Sequence, residues 1–174
     1  MVDPNDGPAP EARPPGVTDL VSLCRSLNRE GAQYIVIGGM AMIQAGFVRA
    51  TEDIDLLVDP SPDNLPRLRR ALSDLPDRAV RDMADTDLDH YVVVRVADEI
   101  VVDLMKAACG ITFGEASDLV DMVSIEGVAI RSPSRRCSGG PNKRCATRIA
   151  STACSWPLCS AHTRIDLRLR LRHS

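Results

Sequence analysis

Apolar residues recur along the chain with two different periods, and the points where the period changes mark out the elements. Leu20, Leu23, Cys24 and Leu27 return at helical spacing, which predicts a helix capped by Thr18 or Asp19 and ending near Gly31. Tyr34-Ile-Val-Ile37 is short, β-branched and bounded by glycine, the pattern of a buried strand. Gly38-Gly39 then turns the chain tightly into Met40–Ala45, helical by propensity. A second strand, Ile54–Val58, is stopped by Asp59-Pro60-Ser61-Pro62. Leu65, Leu68, Leu72 and Leu75 predict an amphipathic helix, started by Asp63 or Asn64 and closed at Pro76.

Further on, Asp82–Asp89 is acidic and polar and reads as a loop. Tyr91–Val96 and Ile100–Met105 read as two strands joined through Ala97-Asp98-Glu99 in a hairpin. Glu115–Val123 is a weak helix or a loop, and Val128–Ile130 a last short strand. Helix, strand, helix, strand, helix, strand, strand is an α/β (α+β) order, so the expected fold is a small mixed β-sheet with flanking helices.

Composition narrows the class. A chain of 174 residues, 44% hydrophobic and 26% charged, is neither disordered by composition nor membrane-spanning. Its longest apolar runs, such as Tyr34–Ile37, are far short of the roughly 20 residues a spanning helix needs. Aromatic residues at 3% argue against a stacking platform for single-stranded nucleic acid. Residues 1–17, acidic and rich in proline, read as a disordered leader without the marks of a signal peptide, and the expected compartment is the cytoplasm. The net charge of −3 conceals a division. Residues 1–130 carry 11 Lys+Arg against 23 Asp+Glu, whereas residues 131–174 carry 10 against the single acid Asp166. Valine is absent after Val128, and Cys137, Cys145, Cys154 and Cys159 crowd the last segment. The expected organisation is a folded domain over 18–131 followed by an atypical basic tail over 132–174.

Three pieces of the domain carry chemistry. Gly38-Gly39 lets the backbone approach a ligand closely in front of a helix start, where a phosphate chain fits, although a Gly-Gly pair is also simply a sharp turn. Asp53-Ile-Asp55 opens a strand, so its two carboxylates share one face while Ile54 and Leu56 pack inward. Two such carboxylates repel unless a cation lies between them, and an oxygen-only donor set suits Mg²⁺. A solvated strand edge or a helix-capping acid is the plainer alternative. Asp103 is a lone acid in the apolar stretch Val101-Val-Asp-Leu-Met105, costly to bury unpaired. A place in a metal cluster accounts for it, and so does an ion pair with Arg49 or Arg95. His90 reads as a surface histidine, and Lys106 as an exposed lysine at a strand end rather than a phosphate ligand.

Taken together, Ile37-Gly-Gly39, Arg49-Ala-Thr-Glu-Asp-Ile-Asp-Leu-Leu-Val58 and Val102-Asp-Leu-Met105 resemble the polymerase-β-like nucleotidyltransferase superfamily, most closely its small bacterial minimal and AbiEii-like members. The resemblance covers about residues 18–131. It implies that Asp53, Asp55 and Asp103 hold the catalytic Mg²⁺ ions, two of them about 3.5–4 Å apart, with Asp103 also helping to deprotonate an acceptor hydroxyl. It implies that Gly38 and Gly39 cradle the triphosphate and that Arg49 and Thr51 position it. Many members have serine where Gly39 stands, so here only backbone donors remain. The implied activity is transfer of a nucleoside monophosphate from an NTP, ATP among the candidates, to a hydroxyl of a protein or RNA acceptor such as tRNA. Such domains serve toxin–antitoxin or phage-defence pairs, which implies a cognate toxin or antitoxin partner and no membrane. The alternative from another class is a catalytically silent module that binds nucleotide or a partner protein and regulates it.

The tail invites a zinc reading through Cys137, Cys145, Cys154, Cys159 and His162, but it has no Cys-x-x-Cys pair and its spacing is irregular, so no zinc is expected. Leu167-Arg-Leu-Arg-Leu-Arg172 suggests a basic nucleic-acid arm. A reading frame shifted near residue 134 explains more. If each true codon ends with the first two bases of the residue given, Thr147 and Ile149 each permit Asp, and Arg148 encoded as AGG permits Lys between them. With suitable codons, the stretch around Cys137–Pro157 then becomes an amphipathic helix of the Lys-Asp kind that follows this strand in the resembling family. The gene's nucleotide sequence tests this: codons 136–157 should permit that translation, and codons that forbid it overturn the shifted frame.

Overall fold

The computed structural model describes residues 12–44, 51–134 and 164–166. Along the chain run α1 (Val17–Arg29), β1 (Tyr34–Ile37), α2 (Gly38–Gln44), β2 (Asp53–Val58) and α3 (Leu65–Leu72). A 3-10 turn (Ala79–Asp82), α4 (Asp87–His90), β3 (Val93–Ala97) and β4 (Val101–Met105) follow. Then come β5 (Ala107–Ala108), β6 (Ile111–Thr112), α5 (Phe113–Ser117), β7 (Val120–Ile125), β8 (Val128–Pro133) and β9 (Arg164–Asp166). The principal sheet has the order β1-β2-β4-β3-β9. β2 and β4 pair in parallel, while β1 with β2 and β3 with β4 pair antiparallel, so the sheet is mixed and carries helices, as its sequence order predicts.

Strand alternation divides the sheet into two unlike faces. On one, Val36, Ile54, Leu56, Val94, Val96, Val102 and Leu104 pack with Leu20, Leu23, Cys24 and Leu27 of α1 and Leu65, Leu68 and Leu72 of α3. Each fully buried aliphatic side chain there contributes roughly 1.5–3 kcal/mol. Burial pushes the Cys24 thiol up to about 12, so it is an inert core group. On the other face a smaller cluster, Ile35, Ile37, Leu57, Val93 and Met105, is covered by Ala116 of α5. The same face also carries Asp53 and Asp55 of β2, Arg95 of β3 and Asp103 of β4.

Several boundaries differ from expectation for identifiable reasons. Gly16, not Thr18 or Asp19, caps α1; Asp19 is instead the acid that accepts the Gly16 N–H at 2.7 Å, held below the usual carboxylate range by Arg13. α3 ends at Leu72 rather than Pro76, with Ser73 as its cap. Asn64 precedes α3 but spends its side chain elsewhere: its Oδ1 accepts from the Gln33 N–H and its Nδ2 donates to the Gln33 and Asp59 carbonyls. The acidic stretch Asp82–Asp89, read as a loop, contains the end of the 3-10 turn and most of α4, which His90 closes. Glu115–Val123 is partly α5 and partly β7, a strand whose half-exposed side chains leave little alternation to read. β7 and β8 form a hairpin turned by Glu126 and Gly127, both at positive φ.

No described helix is long and apolar enough to cross a membrane. In the tail, Arg164–Asp166 lies parallel to β3 by backbone pairing. Cys137, Cys145, Cys154, Cys159, His162, the Leu167–Arg172 alternation and most of the leader lie outside the described residues.

The hairpin β3–β4 is braced by Asp98, fully buried, whose carboxylate accepts the backbone N–H groups of Asp77, Ala79 and Glu99 at 2.8–3.0 Å. Asp98→Ala strands three donors and should lower stability by about 2–4 kcal/mol. Urea unfolding should show this as a fall in midpoint at unchanged slope; an unaltered midpoint rejects the brace.

Candidate active site

The parallel pairing of β2 with β4 sets Asp55 beside Asp103, and the two-residue period of β2 puts Asp53 on the same face. Asp53, Asp55 and Asp103 each offer a carboxylate oxygen, and these atoms lie within 4.8 Å of one another. Asp103 is buried at 4% exposure, while Asp53 and Asp55 are half-buried. Ile54 and Leu56 point away into the core, as their alternation predicts.

Three like charges this close need a cation, and the sheet itself supplies one. Arg95 is the register partner of Asp103 on β3. Its Nε donates to Asp103 Oδ1 at 2.9 Å, and its Nη2 donates to Asp103 Oδ2 at 3.1 Å and to Asp53 Oδ2 at 2.9 Å. The ion pair with Arg95 and the carboxylate cluster, alternatives at the level of sequence, are both present. The reach of Arg95 to Asp53 was not foreseen. Its signal was an arginine alone in Val92-Val-Val-Arg-Val-Ala97, the same anomaly that drew attention to Asp103.

The glycine turn presses on the acids from β1. Gly38 has φ +69°, and a Cβ there would collide with the Asp55 carboxylate at Oδ2. A Cβ on Gly39 would lie 2.7 Å from both Cβ and Oγ1 of Thr51. Thr51 fills the space a serine at 39 would need, and its hydroxyl donates to the Asp53 carbonyl at 2.9 Å, bracing the start of β2. Six of the predicted residues, Gly38, Gly39, Thr51, Asp53, Asp55 and Asp103, thus meet at one place; Arg49 lies outside the described residues. Lys106 donates its Nζ to the Asp89 carbonyl at 2.7 Å, and His90 is exposed at the end of α4.

As a donor set, three carboxylates with no sulfur or imidazole among the described ligands suit a hard divalent cation such as Mg²⁺. A separate cleft of about 180 Å³ between α1, α3 and the β3–β4 turn is rimmed by Arg13, Asp19 and Glu99, whose charges are spent on one another.

The sequence model of the family described as "Nucleotidyl transferase AbiEii toxin, Type IV TA system" matches residues 21–132. Among solved structures, the chain is similar to a provisionally assigned nucleotidyltransferase from Thermotoga maritima, with 16% identity and a TM-score of 0.46 over 68% of this chain and 77% of that one. A likeness that shallow says nothing about activity. No curated protein matches the sequence.

The glycine contacts give a controlled prediction. Gly38→Ala combines a left-handed backbone with a clash against Asp55 and should cost roughly 2–4 kcal/mol. Gly110→Ala, at φ +78° with nothing within 4 Å of the new Cβ, should cost only about 1–2 kcal/mol. Equal losses in thermal or urea unfolding reject the close approach of Gly38 to Asp55.

Proposed function

The chain belongs to the AbiEii nucleotidyl transferase family, and on that footing we propose that it transfers a nucleoside monophosphate from an NTP to a hydroxyl on a protein or RNA acceptor, with Mg²⁺ held by Asp53, Asp55 and Asp103. The observation that carries the reading is the gathering of those three carboxylates on one sheet face beneath the glycine turn. In the reaction the acceptor oxygen bonds to the α-phosphorus as the bond from that phosphorus to the bridging oxygen of the β-phosphate breaks. Pyrophosphate leaves, and the acceptor's proton passes to a carboxylate, for which Asp103 is the candidate.

Each residue has a definable task in this reading. Asp53 and Asp55 project together from a strand locked by core packing, so their oxygens are positioned before any ligand arrives, which removes reorganisation from the barrier. Gly38 and Gly39, lacking side chains, leave backbone N–H groups as the surface that meets phosphate oxygens. Thr51 holds the start of β2 against that turn, and Arg49 is assigned to the incoming phosphates by its place just before the acidic pair. A bound divalent cation supplies charge neutralisation for the triphosphate and favours the ionised form of the acceptor hydroxyl. The family's description places its members in type IV toxin–antitoxin systems. The corresponding proposal is a cognate antitoxin partner and a cytoplasmic site of action, with a tRNA among the candidate acceptors.

Calorimetric titration of ATP and then GTP, with and without Mg²⁺, tests the site. Mg²⁺-dependent binding is expected in the natural chain and should be lost in Asp53→Asn/Asp55→Asn. Asp53→Asn alone should lower product formation by at least about a hundredfold. Binding with no transfer product across protein and RNA acceptors establishes a silent nucleotide-binding module instead.

A further inference from the structure

The least expected charge on the sheet is Arg95. It stands in a strand of valines, on the face opposite the main core, and its guanidinium hydrogen-bonds both Asp53 and Asp103 of the carboxylate cluster. The placement of Nη2 is the decisive detail: one nitrogen lies within hydrogen-bonding distance of Asp53 on β2 and of Asp103 on β4. A divalent cation that takes oxygens from both strands seeks the same position between them. Guanidinium and metal are therefore competitors for one pair of ligands, and a carboxylate whose two oxygens are gripped in a fork is a weaker metal ligand than a free one.

We propose that Arg95 is the built-in counter-cation of the carboxylate cluster, holding Asp53 and Asp103 together in the metal-free chain and yielding them when a divalent cation binds. The inference rests on the metal-binding reading above and adds a role for a residue that reading leaves unused. Arg95 is a positioning residue, acting through the two aspartates. Its presence makes the metal-free domain more stable and the bound cation weaker, because cation binding has to break the contacts that Arg95 makes. An arginine that only supported the fold would behave otherwise: its loss would lower stability and leave metal affinity unchanged or reduced.

The opposite signs make the test. The full chain, Arg95→Gln and Arg95→Lys are stripped with EDTA and titrated with Mn²⁺ alone and with Mg²⁺ alone, by calorimetry and by thermal melting. Arg95→Gln should melt lower than the natural chain in EDTA, bind Mn²⁺ on the order of tenfold more tightly, and gain more in melting temperature when the metal is added. Arg95→Lys keeps the charge but loses the fork, and should fall between the two; it carries the test if the glutamine variant does not fold. Metal affinity equal to or below that of the natural chain in the folded variants overturns the counter-cation role while leaving the metal site standing. Absence of Mn²⁺ uptake by the natural chain and by both variants overturns the role and the metal-binding reading together.

Discussion

Repulsion among Asp53, Asp55 and Asp103 is the constraint around which the rest of the sheet is arranged. Two unit charges about 4 Å apart interact by roughly 4 kcal/mol at an effective dielectric constant near 20, a sizeable part of the 5–15 kcal/mol that keeps a typical domain folded. The cluster is tolerated because the strands bearing it are fixed by other means. Ile54, Leu56, Val102 and Leu104, each with no exposed surface, anchor β2 and β4 from behind. Arg95 on the neighbouring strand offsets part of the repulsion in front. Asp98 ties the turn between the strands that supply Arg95 and Asp103 to the loop at Asp77–Ala79, so the register between the two cannot drift cheaply.

The glycine turn answers the same constraint from another side. β1 ends with Ile37 in register with Asp55, and the chain must then reverse into α2 without a side chain striking the carboxylate. Only glycine satisfies both the positive φ and the contact at position 38. At 39 the requirement is set by Thr51, whose side chain occupies the volume and whose hydroxyl is committed to the Asp53 carbonyl. The departure from serine at this position is thus matched by a neighbouring residue that leaves a serine no room. Positions 38, 39, 51, 53 and 55 form one packed unit, and a change at one is felt at the others.

Legibility in the sequence followed the strength of local signals. β1 was recoverable to the residue because four apolar β-branched or aromatic positions stand between glycine-bearing turns. The acidic site was legible because two carboxylates at strand spacing and a third in an apolar run are each anomalous by themselves. β7 was not, since none of its side chains is buried and neither face is strongly apolar. The cap of α1 was misplaced because Asp19, a good capping residue by type, lies inside the helix and accepts the N–H of Gly16, which takes the cap position. The bridge from Arg95 to Asp53 joins β3 to β2, which are separated by β4, so it depends on strand order rather than on any local pattern. The compositional break is a property of the sequence alone: valine ends at Val128, and the acids end at Glu126 apart from Asp166.

The position of the cluster on the sheet suits the proposed cation site, which sets two demands that oppose each other. Carboxylates that are to take a cation must be desolvated enough to attract it strongly, yet deeper burial would raise the penalty on the metal-free state beyond what the core offsets. The observed compromise is a boundary. On their own face the acids adjoin Ile37, Leu57 and Met105, an apolar floor that excludes water from one side, while Asp53 and Asp55 keep partial access to solvent from the other. Only Asp103 is buried, and it alone receives the two-toothed grip of Arg95. The depth of each acid is thereby matched to the counter-charge beside it: the buried one holds the internal cation at both oxygens, and the two nearer the surface stand where a ligand from solvent can reach them.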